Sequence, residues 1–243
     1  MAEKKKLGVL ILHGFTGSLD TVRGLVPVVE RLGLPYRMPT LRGHGTRYED
    51  LDGVTARNWY EDAEAALLDL LEEVEQAVVV GLSMGGLVTL NLAMEHGDRL
   101  AGIVVAGTFL RCANPLAALT PLLKLFVPYW DNPNSFADAE LAKACTNYKK
   151  FPIATFSHLL NYASEIERRL PEVKTPALIL HSRKDATAHP ITAVLLMERL
   201  GSREKRVVWF ERSGHEMLQD LEAAEALRVI GDHLAGFQQA QAS

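Results

Sequence analysis

The sequence predicts an α/β fold: a mostly parallel central sheet with helices on both faces and an inserted cap. Three observations predict it. Short apolar, β-branched runs alternate with longer stretches of helical periodicity, the mark of strand-helix-strand units. Apolar residues make up 48% and charged residues 23% of the 243 residues, which argues against a disordered, collagen-like or membrane-bundle chain and leaves a sizeable core. The alternation breaks once, between Phe109 and Leu170, where prolines stand at 115, 121, 128, 133 and 152 and no clear strand is legible.

Each element follows from its local pattern. Leu7 to Leu12 reads as a buried strand, and Thr21 to Leu32 as a helix closed by Gly33. Tyr36 to Leu41 is a weaker strand entering the loop Arg42-Gly43-His44-Gly45. Trp59, Ala63, Ala66, Leu67, Leu70, Leu71 and Val74 recur at helical spacing, with acids between them, so this helix lies on the surface with a solvated acidic face. Ala77 to Val80 is a buried strand. Leu87 to His96 follows as a helix, apolar nearly all round and therefore central, and closed by Gly97. Ile103 to Ala106 is the strand before the break. The rhythm resumes with the strand Ala177 to Leu180, the helix Ile191 to Leu200, the strand Arg206 to Phe210 and a helix from Ala223 to Leu234. Gln238 to Ser243 reads as a frayed tail. Residues 1–108 and 171–243 are thus expected to form the core, and residues 109–170 the inserted cap or lid.

Charge excludes some partners. Lys and Arg number 26 against 30 Asp and Glu, a net charge of -4, and seven of the acids fall within residues 58–76. With no basic run beyond Lys4-Lys5-Lys6, the footprint that nucleic acid requires is missing. No apolar run approaches the roughly 18 residues of a membrane helix. The start, three lysines before Leu7 to Leu12, imitates a signal peptide only faintly, because the apolar run is short and ends at His13-Gly14. Two cysteines, Cys112 and Cys145, are too few for a disulfide framework, although one bridge stays geometrically open. A reducing, cytoplasmic setting is expected.

The chemistry concentrates in Gly81-Leu82-Ser83-Met84-Gly85-Gly86, between a buried strand and the central apolar helix. A serine in G-x-S-x-G at a strand-to-helix turn is held strained with its hydroxyl exposed, and the glycines prevent collision where strand and helix converge. A serine hydroxyl needs a base to take its proton and an acid to orient that base. In this context the partners follow in the order serine, acid, histidine, each after a later strand. The loop after Ile103 to Ala106 holds no carboxylate, whereas the loop after Ala177 to Leu180 holds Asp185. Of eight histidines, His215 alone stands on a loop after a strand beyond Asp185; His189 also follows the acid but shares its short loop. The amide of Met84 is one expected oxyanion donor, and the amide of Phe15, in the loop His13-Gly14-Phe15-Thr16-Gly17, is the other, with Gly14 and Gly17 letting that loop bend back.

These motifs, with Leu41-Arg42-Gly43-His44-Gly45-Thr46, Tyr48-Glu49-Asp50 and Gly214-His215, resemble the α/β-hydrolase superfamily, and within it the small bacterial carboxylesterases and monoacylglycerol lipases. The resemblance implies a triad of Ser83, Asp185 and His215, oxyanion amides at Phe15 and Met84, and an α/β-hydrolase fold. It implies no cofactor and no metal. Glu140-Leu141-Ala142 looks like the lid segment in which the lipases place a glutamate near the glycerol head, which makes Glu140 a substrate-binding candidate. The chain departs from the pattern with Ser182-Arg183-Lys184 in place of a glycine before the acid, and with Ala188 after it.

The expected activity is cleavage of carboxylic esters with short- to medium-chain acyl groups, monoacylglycerols included, through an acyl-serine intermediate. Acyl-thioester or carbon-carbon hydrolysis would use the same triad, and a non-catalytic lipid-binding or receptor module is the reading from another class. Leu116, Leu119, Leu122, Leu123, Leu125, Phe126, Val127, Tyr129 and Trp130 crowd the insertion, and they are expected either to line an acyl-chain pocket over Ser83 or to pack on the core.

Overall fold

The structure, a computed structural model, describes residues 4–242. In chain order its strands are β1 (Lys5–Leu12), β2 (Tyr36–Arg37), β3 (Val74–Leu82), β4 (Leu100–Ala106), β5 (Tyr129–Asp131), β6 (Lys150–Pro152), β7 (Ala177–Ser182) and β8 (Lys205–Phe210). The helices are α1 (Val26–Arg31), α2 (Ala56–Glu73), α3 (Met84–Glu95), α4 (Thr120–Leu123), α5 (Ala139–Lys143), α6 (Ile153–Arg169), α7 (Ile191–Arg199) and α8 (Ala223–Ala242). Six strands form one wholly parallel sheet in the order β2-β1-β3-β4-β7-β8, and β5 and β6 form a separate antiparallel pair.

Successive residues of a strand face opposite sides. Leu7, Val9 and Ile11 therefore join Val78, Val80, Val29 and Ile230 under α1 and α8, while Leu10 and Leu12 join Val79, Trp59 and Leu67 under α2 and α3. Because both faces are covered, the central strands read as unbroken apolar runs. Each large apolar side chain removed from water stabilises the fold by about 1.5–3 kcal/mol. Helix α3 sits against β3 and β4 with Leu87, Val88, Leu90 and Leu92 all buried, which is why its sequence has no polar face.

Register sets the site. Leu12 lies beside Gly81, Leu82 beside Ala106, Ala106 beside Leu180 and Ser182 beside Phe210. The loops leaving β1, β3, β7 and β8 consequently emerge in one row at the carboxyl edge of the sheet, where ligands of open α/β sheets bind.

Several elements differ from the sequence-based expectations. The helix expected over 21–32 is α-helical only from Val26, preceded by two 3-10 turns, because Pro27 lacks an N–H and fits only a first helical turn. The strand expected over 36–41 pairs only at Tyr36 and Arg37, with Pro39 just beyond. The insertion, expected without clear strands, holds β5 and β6, whose three residues each are too short to show an alternation. It also holds α6, which buries Ile153, Phe156, Leu159, Tyr162, Ala163 and Ile166 and packs on α3. Helix α8 continues through the expected tail to Ala242; Ser243 lies outside the described residues.

Candidate active site

Ser83 occupies the turn between β3 and α3 with φ 56° and ψ -116°, a backbone region that costs a non-glycine residue of order 1–3 kcal/mol. The neighbours are glycines for lack of space. A Cβ at Gly81 would come within 2.2 Å of the Gly85 carbonyl oxygen, and one at Gly85 within 2.5 Å of the Leu12 oxygen. The turn lifts the hydroxyl off the sheet edge, and Ser83 lines an open cleft.

The three sequence-predicted side chains converge there. Ser83 Oγ lies 2.8 Å from His215 Nε2, and His215 Nδ1 lies 2.7 Å from Asp185 Oδ2. With a neutral ring the serine hydroxyl donates to Nε2 and the Nδ1–H donates to the carboxylate. The other oxygen, Asp185 Oδ1, accepts the amides of Thr187 at 2.9 Å and Ala188 at 2.8 Å, which orients the acid. Burial alone would lower the His215 pKa, but the facing Asp185 charge and hydrogen bond outweigh it and the net shift is upward. Asp185 moves the opposite way: burial pushes it up, the imidazole pulls it further down, and it stays below the usual carboxylate range. His189 is outside this relay. It is exposed and caps α7 by accepting the Ile191 amide at 3.0 Å.

The loop after β1 brings Phe15 beside the serine. Among the described residues, neither the Phe15 nor the Met84 amide donates a hydrogen bond within the protein. The bend differs from expectation: the positive φ of 61° belongs to Thr16, while Gly14 is required because its Cα approaches the Ser83 side chain, where a Cβ would stand 3.0 Å from Ser83 Cβ.

Two buried histidines bracket this loop. His13 Nε2 accepts the Leu41 amide and His44 Nε2 accepts the Thr16 amide, both at 3.1 Å, while each Nδ1–H donates to backbone carbonyls. Burial holds their pKa values down, to about 4 for His13 and about 3 for His44. The Leu41-to-Thr46 motif thus positions the Phe15 loop rather than touching the cleft.

The cleft has two halves. Phe15, Phe109, Phe151, Phe156 and Leu159 make one half apolar, and Asn132, Ser135, Asn147 and Glu216 make the other polar. Of the crowded apolar stretch in the insertion, only Trp130 lines the cleft, along with Ala117 from the same segment. Leu116, Leu119, Leu122, Leu125, Phe126 and Val127 face outward instead, with Phe126 77% exposed. These side chains do not form the pocket: they lie on the 3-10 turn Pro115–Leu119, on α4 and in the residues after it, all exposed to solvent. Glu140 is not brought to the site either. Its side chain is 80% exposed on α5, where it pairs with Lys143 at 2.7 Å, and it is absent from the cleft lining. Cys112 and Cys145 are unpaired thiols.

The sequence reading missed Glu216, Asn147 and Asp220. Asp220 Oδ2 accepts the amides of Gly214 and Ala137, and its Oδ1 accepts that of Asp138 at 3.2 Å, tying the His215 loop to the insertion. The available signal was a carboxylate immediately after the histidine and another five positions on, in His215-Glu216-Met217-Leu218-Gln219-Asp220.

A family model described as Hydrolase_4, serine aminopeptidase S33, matches residues 3–222. The chain belongs to this family. This hydrolase is 32% identical to a thermostable monoacylglycerol lipase of Bacillus sp. strain H-257, over 88% of this chain and 84% of the relative. It is 23% identical to a carboxylesterase of Bacillus subtilis strain 168, over 88% of this chain and 86% of that one. A solved structure described under the metagenome-derived lipolytic enzymes LipS and LipT superposes with a TM-score of 0.89 at 30% identity, covering 98% of this chain and 96% of the other. The hydrolase thus has the α/β-hydrolase fold. No helix among its described residues is long and apolar enough to cross a membrane.

Proposed function

We propose that this hydrolase cleaves carboxylic esters of short- to medium-chain acids, monoacylglycerols among them, through an acyl-serine intermediate on Ser83. The observation that carries the reading is the Ser83–His215–Asp185 hydrogen-bonded relay at the mouth of a cleft with one apolar half. His215 takes the Ser83 proton as Oγ attacks the acyl carbon. Asp185 holds the ring and balances the imidazolium. The developing oxyanion lies against the Phe15 and Met84 amides, the latter at the positive end of α3. His215 then protonates the departing alcohol, and a water activated by the same ring releases the acid.

Residues 109–170 act in this reading as a cap over a core of residues 1–108 and 171–243, with Phe151, Phe156 and Leu159 holding the acyl chain. No cofactor takes part, and the partner is a small ester rather than a macromolecule. The two unpaired cysteines fit a cytoplasmic setting.

A panel of monoacylglycerols, triacylglycerols, alkyl esters and acyl-thioesters tests the proposal, together with stoichiometric labelling by an organophosphate. Ester turnover with one label per chain on Ser83 supports it. Slow labelling and no turnover would make the protein a binding module, and preference for thioesters would move it to that class.

A further inference from the structure

Thr16 is held by its backbone N–H, its carbonyl and its hydroxyl, and two of these three grips come from the insertion. The N–H donates to His44 Nε2 at 3.1 Å. The carbonyl accepts the Tyr148 amide at 2.9 Å, and Oγ1 accepts Asn132 Nδ2 at 2.9 Å. Thr16 is 3% exposed and its φ is 61°, a left-handed conformation that a β-branched residue keeps only where its surroundings impose it.

The antiparallel pair of β5 and β6 delivers both partners. Asn132 directly follows β5 and donates its amide to Lys149 O at 2.8 Å, just before β6, so the pairing is prolonged and sets Asn132 beside Tyr148. Asn132 Nδ2 also donates to Tyr148 O at 2.9 Å, which commits its two hydrogens to Thr16 and to the neighbouring strand end. Tyr148 reaches further into the core. Its hydroxyl accepts the Thr46 amide at 2.9 Å and donates to Gly43 O at 3.2 Å, and its ring lies parallel to His44, the acceptor of the Thr16 amide.

We infer that Asn132 and Tyr148 are positioning residues for the oxyanion hole: the insertion, docked on Thr16, holds the Phe15 amide where charge develops on the acyl oxygen. The inference rests on the ester-hydrolase reading above and makes its catalysis depend on the insertion, beyond any part that the insertion plays in holding the acyl chain. Phe15 is the chain neighbour of Thr16, so a turn relaxing at Thr16 carries the Phe15 amide with it. The proton relay stands apart, because among the described residues neither Asn132 nor Tyr148 hydrogen-bonds to Ser83, Asp185 or His215. Displacing an oxyanion donor by about an ångström weakens the transition state while substrate binding and proton transfer persist.

Three variants of the full chain test this: Asn132→Leu, which keeps the volume and removes both donors; Thr16→Val, which keeps the β-branch and removes the acceptor; and the two combined. Each is checked for folding by far-UV circular dichroism, then assayed with p-nitrophenyl octanoate and with octylboronic acid as inhibitor. The boronic acid takes a bond from Ser83 Oγ to boron as the serine proton passes to His215, giving a tetrahedral boronate that carries the negative charge. Acylation and deacylation both use the oxyanion hole, so kcat should fall about tenfold or more with KM held within about twofold, and boronate affinity should fall in step with kcat. The midpoint of the kcat/KM pH profile should stay in place. The combined variant should lose no more than Asn132→Leu alone, since both delete one shared bond, and Thr16→Ser, which keeps the hydroxyl, should lose less than Thr16→Val. If Asn132→Leu does not fold, Thr16→Val reads the same bond from the core side. Unchanged kcat in the folded variants, losses that add in the combined variant, or boronate affinity that holds while kcat falls would overturn the brace. Absence of a p-nitrophenolate burst from the unmodified chain would instead defeat the ester reading itself, a separate and recognisable result.

Discussion

Asp220 Oδ2 accepts the Gly214 amide at 2.6 Å, one residue before His215. The same oxygen accepts the Ala137 amide at 2.7 Å, so a single buried carboxylate fixes both the histidine loop and the insertion above it. Asp220→Ala would leave two or more amides without partners. It should lower unfolding free energy by about 2–4 kcal/mol and kcat by about tenfold, measured by urea denaturation and steady-state kinetics. Asp220→Asn, which keeps one acceptor, should lose less. Stability equal to the parent in Asp220→Ala would show that the tie is idle.

Ser83→Ala removes the hydroxyl and leaves the buried framework intact. The variant should fold with unchanged far-UV circular dichroism and lose about 10⁴ to 10⁶ in kcat. Ester hydrolysis persisting at more than a hundredth of the parental rate would remove Ser83 from the mechanism.

The pH dependence has a definite sign. His215 must be neutral to accept the serine proton, and its pKa is displaced upward from 6.5. The ratio kcat/KM should therefore rise with pH through a midpoint above 6.5, and Asp185→Asn should move that midpoint down. Stability from the His215 shift runs the other way: it is complete below 6.5 and fades as pH climbs through the raised folded value. A kcat/KM profile flat from pH 5 to 8 would contradict the assignment.

His13 and His44 contribute on the acid side, as does His233, which burial also lowers to about 4. The folded pKa values of His13 and His44, about 4 and about 3, lie below the ordinary 6.5, so the unfolded chain binds protons first as pH falls. The stability that they confer is present above 6.5 and is lost progressively down through those folded values, a few kcal/mol in all. Melting temperature followed from pH 7 to pH 4 should fall, and the fall should shrink in His44→Asn. A pH-independent melting temperature over that range would exclude it.

The apolar half of the cleft should govern acyl length. Ala117→Trp adds bulk to the cleft that Ala117 and Phe156 both line and should reduce kcat/KM for eight- to twelve-carbon esters by about tenfold relative to acetate esters. Leu125→Glu, on the exposed face, should leave the chain-length profile and stability within about 0.5 kcal/mol. An equal change in both variants would mean that the acyl chain lies elsewhere.

The central strands and the relay were legible because each has a local signature. A strand buried on both faces is a short apolar run, and a nucleophile at a strand-to-helix turn needs glycines at 81 and 85. Chain order then singled out Asp185 and His215. Glu140 misled because a three-residue likeness carries no information about which way a short helix faces. Helix α6 was readable in the spacing of Ile153, Phe156, Leu159, Ala163 and Ile166, but the prolines around it drew the eye to irregular structure. Glu216 and Asp220 escaped because an acid near a histidine looks like any surface charge until burial is known.

The backbone at Ser83 carries a last consequence. Glycine would take up φ 56° and ψ -116° with far less effort, so the replacement that most relaxes this peptide is also one that deletes the nucleophile. Durability and turnover are opposed at a single residue. A laboratory selection for heat tolerance alone would drift toward an inert, sturdier chain, and only a screen that scores product would keep the alcohol in place.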